Sequence, residues 1–154
     1  MTDVIAALIA AAVATFGYVI TARTKFLKDR RKTYAEALAA VHAFQELSHR
    51  IRRRPDSNPT TIDKLGTIVS GIQRDLDFYR SLLYLDSREL GDAYYALAQA
   101  SRDQEKKLRD EAWAQPPAMS YPEPYRFKVR VERELCLERM RQHLRLIPLR
   151  GNQN

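Results

Sequence analysis

The chain contains a single cysteine, Cys136, among its 154 residues, which excludes a disulfide framework and a zinc site built from several thiolates. It has only 5 glycines and 7 prolines, so collagen-like and low-complexity structures are excluded as well. No glycine-rich phosphate loop, G-x-S-x-G nucleophile motif or H-E-x-x-H metal motif occurs. We therefore expect a protein without enzymatic activity, cofactor or bound metal.

Charge is nearly absent from the first 22 residues, where Asp3 is the only charged side chain. Residues 4–20 read VIAALIAAAVATFGYVI, an apolar run at the short end of the roughly 17–25 residues that cross a bilayer. A cleaved signal peptide would carry positive charge before the run rather than after it. A buried helix of a soluble protein is the other alternative. We predict a transmembrane segment over residues 1–22.

A cluster of basic residues follows the apolar run directly. Its members are Arg23, Lys25, Lys28, Arg30, Arg31 and Lys32, against one acid, Asp29. Positive charge beside a span marks its cytoplasmic end, and it also attracts anionic lipid headgroups. We therefore predict a single-pass protein of the cell membrane, with the N-terminus outside and residues 23–150 in the cytoplasm. Contact with the bilayer then accounts for much of the net charge of +7.

The rest of the chain shows the three- and four-residue apolar spacing of amphipathic helices. We predict helices at about 23–54, 59–84, 87–114 and 125–147, with a tail at 151–154. Asn58 before Pro59 predicts an N-cap for the second helix, and Asp86 with Glu89 predicts a capping pair for the third. The second helix has the most regular stripe, which consists of Ile62, Leu65, Val69, Ile72, Leu76, Tyr79 and Leu83.

Four helices of similar length predict an all-α fold, in which the transmembrane helix continues into an antiparallel, up-down four-helix bundle. A coiled coil between two chains through the second helix would bury the same stripe. Rows of small residues in the span, such as Ala6, Ala10 and Ala14, would also suit a dimer of spans. The bundle, the coiled coil and a homo-oligomer all remain open at this point.

Basic and aromatic residues occur in two segments that an up-down order brings together at the bundle end distant from the membrane. They are Arg50, Arg52, Arg53 and Arg54 before the first turn, and Trp113, Tyr121 and Tyr125 around the last connection. These residue types dominate binding hot spots, so we predict a protein partner at this tip. Alternatively, the arginines complement a helix dipole and Trp113 covers the end of the core.

Other polar side chains are weaker candidates for a functional site. His42, Glu46 and His49 share a helical face, but no second Glu-x-x-His motif is present to complete a metal pair. Cys136 lies on the apolar side of the fourth helix and is predicted to be a small buried residue. The arginine run could contact phosphate backbones, yet no nucleic-acid-binding module accompanies it, so nucleic acid is the weaker alternative.

Three strings carry a resemblance to a protein family: YAEALAAVHAFQELSHRIRRRP at 34–55, FYRSLLYLDSRELGDAYYAL at 78–97 and EAWAQPP at 111–117. They resemble small, uncharacterised actinobacterial membrane proteins with one N-terminal span and a helical cytoplasmic part. The resemblance implies this architecture and adds no activity or site residue.

We expect a non-catalytic, membrane-anchored adaptor, scaffold or regulatory subunit. An oligomeric pore-forming or lytic membrane effector is the alternative from another class. Such a pore would need polar residues along one face of the span, and Thr15 and Tyr18 are the most polar residues there.

Overall fold

The computed structural model describes the backbone of residues 2–118 and 128–146, and the side chains of residues 15–118 and 128–145. It contains five helices: α1 (Thr2–Gln45), α2 (Leu47–Arg52), α3 (Pro59–Asp86), α4 (Arg88–Ala114) and α5 (Arg130–Leu146). No strand occurs within the described ranges, so the predicted all-α class is confirmed.

The chain divides into two compact units, residues 1–35 and 36–154. Among the residues whose placement is described, no helix is both long enough and apolar enough to cross a membrane. The side chains of residues 1–14, which form most of the apolar run, lie outside that described part. The transmembrane segment over residues 1–22 therefore stays a prediction.

The second unit is a helical bundle in which α4 contacts α2, α3 and α5. The hydroxyl of Tyr94 donates a hydrogen bond to the carbonyl oxygen of Ala37 at 3.1 Å. Further along, the guanidinium of Arg54 donates to the carbonyl oxygen of Ala112 at 3.0 Å. Because both partners advance together along the sequence, the end of α1 and all of α2 run parallel to α4.

The other two neighbours of α4 run antiparallel to it. Asp77 on α3 pairs with Arg102 at 3.0 Å, whereas Leu65, earlier on α3, packs against Ala112, later on α4. Arg139 on α5 lies 3.4 Å from Glu89, and the backbone N–H of Lys128 donates to Gln104 at 2.8 Å. The helices thus alternate in direction, as an up-down bundle requires.

The apolar stripe of α3 is buried only in part. Leu65, Leu76 and Leu83 are at most 9% exposed, whereas Ile62 is 43% exposed. Burying each such side chain stabilises the fold by about 1.5–3 kcal/mol. The core of the stripe is therefore covered within one chain, as a bundle requires.

The predicted cap at the start of α3 is present. The side-chain oxygen of Asn58 accepts a hydrogen bond from the backbone N–H of Thr61 at 2.8 Å, and Pro59 is the first helical residue. The cap satisfies one of the N–H groups that a helix start leaves without an internal partner.

The predicted capping pair of the third helix is wrong. Asp86 is the last residue of α3, and the N-cap of α4 is Ser87, which makes no side-chain cap hydrogen bond. Ser87 is the sole connecting residue, and its extended backbone (φ −163°, ψ 134°) ends one helix and begins the next. A connection this short leaves no separate residue for the cap of each helix.

Two further boundaries differ from the prediction. The first predicted helix, 23–54, is interrupted at Glu46, although the backbone there stays helical (φ −83°, ψ −4°). The last helix begins at Arg130 rather than near 125, and the backbone N–H of Lys128 just before it donates to the side chain of Gln104 on α4. Residues 125–127 lie outside the described part of the chain.

Candidate partner-binding tip

The two segments predicted to meet at one end of the bundle are in contact. The backbone N–H of Ala118 donates to the carbonyl oxygen of Arg52 at 2.8 Å, and the guanidinium of Arg52 donates to the carbonyl oxygen of Pro116. We call the region formed by residues 50–58 and 112–118 the tip. The tip forms because α2 and α4 run parallel and end at the same level.

Arg54 is the best-bonded side chain of the tip and is only 5% exposed. Its guanidinium donates to the carbonyl oxygens of Ile51 at 2.9 Å, Ala112 at 3.0 Å and Gln115 at 2.8 Å. It also donates to the hydroxyl of Ser57 at 3.0 Å. One side chain therefore links α2, the following turn and the end of α4.

The position of Arg54 follows from the chemistry of helix ends. The last four carbonyl groups of a helix have no internal partner, and they carry the negative end of the helix dipole. Two parallel helices that end side by side present twice as many carbonyl groups without an internal partner. A planar guanidinium with five N–H donors can meet several carbonyls at once, which an ammonium cannot do in the same fixed geometry.

Trp113 covers the same end of the core. Its ring lies 5.1 Å from the guanidinium carbon of Arg54, a cation–π distance. It also packs on a small apolar cluster formed by Ile51, Leu65 and Ala112. The structure thus gives Trp113 and Arg54 the structural role that was the alternative to partner binding.

The remaining predicted tip residues differ in accessibility. Arg50 and Arg53 are exposed, and Arg52 is half-buried. Tyr121 and Tyr125 lie outside the described residues. Arg54 must be removed from the set of partner contacts, because its donors are already used within the fold. Among the described residues of the predicted set, Arg50 and Arg53 are therefore accessible to a partner, and Arg52 and Trp113 are accessible in part.

Asp56 is the one acidic residue in the 50–58 turn. Its carboxylate accepts hydrogen bonds from the backbone N–H of Asn58 at 3.2 Å and from the side-chain amide of Asn58 at 2.8 Å. Hydrogen bonds from the side chain of Thr61 and the backbone of Asn58 hold the pKa of Asp56 below its usual range. The tip surface therefore keeps one stable negative charge beside its arginines.

In the N-terminal unit, the basic residues predicted to flank the membrane are mostly exposed: Arg23, Lys25, Lys28, Arg31 and Lys32. Arg30 is half-buried and lies over the ring of Phe26, with 5.0 Å between the guanidinium carbon and the ring centroid. The described end of the apolar run is exposed as well, with Phe16 at 69%, Tyr18 at 76% and Ile20 at 51%.

The hydroxyl groups beside this run are bonded within the helix. Thr21 donates to the carbonyl oxygen of Gly17 at 2.9 Å, and Thr24 donates to that of Ile20 at 2.5 Å. Such a bond satisfies the hydroxyl donor of a threonine within its own helix.

Sequence reasoning missed a buried carboxyl group in the middle of the bundle. Glu105 is fully buried; its Oε2 pairs with Arg109 at 3.0 Å, and its Oε1 has no hydrogen-bond partner among the described residues. Burial raises the pKa of Glu105, and the nearby charge of Arg109 offsets this rise only in part. A signal was available, because Glu105 follows Tyr94 by eleven positions and Leu97 by eight, which places it on the same side of the helix as these apolar residues.

We expect Glu105→Gln to stabilise the protein at neutral pH and to lose this advantage as the pH falls. The folded state holds the proton of Glu105 more tightly than the unfolded state does. The native carboxyl therefore lowers the free energy of unfolding as the pH rises from the pKa of Glu105 in the unfolded state towards its pKa in the folded state. The free energy of unfolding falls by about 1.4 kcal/mol for each tenfold difference in proton affinity between the two states. Denaturation in urea at pH 7.5, 6 and 5 measures the difference between variant and wild type.

The control for this experiment is Glu111→Gln on the same helix, where the side chain is exposed. As a surface substitution, it should change stability by less than about 0.5 kcal/mol. A stability difference between Glu105→Gln and wild type that stays constant across these pH values would show that burial does not shift this carboxyl.

Cys136 is buried, as predicted, and burial raises its pKa to about 12. Its thiol therefore stays protonated and unreactive at physiological pH. Among the residues that the structure describes, no group of three or more His, Cys, Asp and Glu side chains is placed to hold a metal ion. His49 is buried and His42 is exposed, so the two do not share one environment.

Comparison with known proteins yields no family model, curated protein or solved structure that matches the chain.

Proposed function

We propose that this protein is a single-pass membrane protein whose helical bundle serves as a non-catalytic adaptor, scaffold or regulatory subunit. The observation that carries the proposal is the sharp boundary in the N-terminal unit between exposed apolar and exposed basic side chains. Phe16, Tyr18 and Ile20 are exposed immediately before Arg23 and Lys25. A contiguous exposed apolar surface of this kind is typical of a membrane or protein contact.

The sequence pattern supports a bilayer as the contact. Residues 4–20 contain no charged side chain, and the charge that follows is almost all positive. By the positive-inside rule, this order favours an N-terminus outside and a bundle in the cytoplasm. The resemblance to small actinobacterial membrane proteins points to the same arrangement.

Placing one charge inside the apolar run tests the anchoring. We expect Ile9→Arg to shift the full-length protein from the membrane fraction to the soluble fraction, because arginine at the centre of a span costs about 2.5–3.5 kcal/mol. Carbonate extraction followed by immunoblotting measures the shift. The control is Leu85→Arg, since Leu85 is an exposed apolar residue of the bundle and is not in the run. Wild-type protein that is soluble without detergent would refute the anchoring.

Arg50 and Arg53 offer a test of the partner at the tip. We expect Arg50→Ser combined with Arg53→Ser to remove neighbours from a proximity-labelling profile while leaving the melting temperature unchanged, because both side chains are exposed. Arg88→Ser is the control, since Arg88 is exposed at the start of α4, the opposite end from the tip. An unchanged labelling profile, or an equal change in the control, would contradict a partner surface at the tip.

A further inference from the structure

One side of α3 is directed away from the bundle along the N-terminal half of the helix. It is formed by Asp63, Gly66, Thr67, Ser70, Gly71 and Arg74, and we call it the outer face. Gly71 is half-buried and the others are exposed. They line an open groove of about 820 Å³. The buried residues Leu65 and Leu76 lie on the opposite side of the same helix, so nothing in the described chain covers the outer face.

The charged residues of the outer face are arranged to complement a second copy of themselves. Asp63 and Arg74 stand near its two ends, and neither side chain makes a hydrogen bond or ion pair with another residue that the structure describes. Their separation of eleven positions is close to three helical turns, so they lie on the same side of α3. A face with a negative and a positive end pairs with itself when one copy is reversed.

We propose that the outer face binds a second copy of this chain as an antiparallel, two-fold symmetric helix pair. With the two-fold axis between Ile68 and Val69, Asp63 lies level with Arg74 of the second copy. Thr67 then lies level with Ser70. The Asp63–Arg74 and Thr67–Ser70 pairs each occur twice, once in either direction, as an isologous interface requires. A parallel pair would instead set Asp63 beside Asp63 and Arg74 beside Arg74.

The glycines of the outer face, Gly66 and Gly71, lie at its two borders, about 140° apart around the helix. A Cβ added at Gly66 or Gly71 would meet no atom within 4 Å, so the fold of one chain does not require glycine at either position. Glycine inside a helix is nevertheless destabilising relative to alanine. At the borders of the contact, the missing side chains leave room for the side chains of a second helix. Gly91 differs, because a Cβ there would collide with Tyr84 of the same chain.

The proposed pair does not depend on the membrane anchor or on the tip. It uses a single helix from each chain, so its area falls below the roughly 1,600 Å² of a standard stable interface. We therefore infer a weak, reversible dimer, for which chemical crosslinking is a more suitable measurement than elution volume.

Two serine-to-cysteine variants of α3 test both the existence and the direction of the pair. At 1.5 Å per residue, the two copies of residue 70 are offset along the helix axis by about 5 Å, and those of residue 81 by about 37 Å. Ser70 and Ser81 are both exposed. The native thiol of Cys136 does not interfere, because it is buried.

The full-length protein in mild detergent is treated with a short bifunctional maleimide. We expect a crosslinked dimer from Ser70→Cys and none from Ser81→Cys. Crosslinking of both variants would indicate a parallel pair or random collision, and crosslinking of neither would exclude the pair. Crosslinking of Ser81→Cys alone would place the contact elsewhere. Each of these three results overturns the proposal.

Charge reversal in the Ser70→Cys background provides the second measurement. Asp63→Arg alone and Arg74→Asp alone should each lower the crosslinked fraction several-fold, because each sets like charges opposite one another. The double reversal should restore it. Circular dichroism checks that each variant stays folded. Single reversals that crosslink as well as the parent protein, or a double reversal that fails to recover, would refute the paired charges and with them the proposed register.

Discussion

Replacing Arg54 with methionine is expected to lower the free energy of unfolding by about 2–4 kcal/mol, because a hydrogen bond from a charged donor contributes about 1.5–3 kcal/mol. Methionine fills a similar volume but offers no hydrogen-bond donor. The carbonyl oxygens of Ile51, Ala112 and Gln115 would each lose a bond of 2.8–3.0 Å. A buried acceptor left without a partner costs about 1–3 kcal/mol.

Arg54→Lys should fall between the wild type and Arg54→Met, because a single ammonium cannot reproduce the planar set of donors. The matched control is Arg53→Met, one residue earlier in the same run and exposed, where surface substitutions usually change stability by less than about 0.5 kcal/mol. Urea unfolding followed by circular dichroism measures the global change. The fluorescence of Trp113, the only tryptophan, reports on the tip itself. A loss below about 1 kcal/mol in Arg54→Met would contradict the structural role of this side chain.

Gly91→Ala is expected to destabilise the protein by about 2 kcal/mol, although alanine is the better helix former by about 1 kcal/mol. The added Cβ would lie 2.8 Å from the Cα and 2.9 Å from the Cβ of Tyr84, and 2.5 Å from a ring carbon of the same residue. Moving the ring alone cannot relieve the backbone contact. Because Ser87 is the sole residue between α3 and α4, the two helices have little freedom to separate.

The opposite result is expected for Gly66→Ala on α3, where the added Cβ meets nothing within 4 Å. This control should gain about 1 kcal/mol from helix propensity alone. Thermal unfolding of both variants at low protein concentration gives the comparison. Equal shifts of the melting temperature, in either direction, would mean that the close approach of α3 and α4 does not restrict residue 91.

Much of the local structure could be predicted from the sequence because its causes are local. Asn58 caps the start of α3 and Pro59 is its first residue. Both effects arise from these two residues themselves and do not depend on what packs against them. The spacing of apolar residues determined which side of each helix is buried, and Cys136 follows this rule. The similar lengths of the predicted helices indicated an up-down bundle, and this order correctly brought the two segments of the tip together.

The sequence could not show which of two identical residues at neighbouring positions is buried. Arg53 and Arg54 are chemically identical, yet one is exposed and the other is buried against the end of α4. Which of them is buried depends on where the carbonyls of Ala112 and Gln115 come to lie, and this is a property of the assembled bundle.

Residue type alone is also misleading at Ile62 and Glu105. By their residue types alone, the isoleucine should be buried and the glutamate exposed; the structure shows the reverse. The sequence by itself determined the helical class, the N-terminal change from apolar to basic character and the order of the helices. Only the tertiary structure decided which polar groups are buried and which apolar groups are exposed. Burial depends on the neighbours that a position meets in space, and these come from segments far apart in the chain.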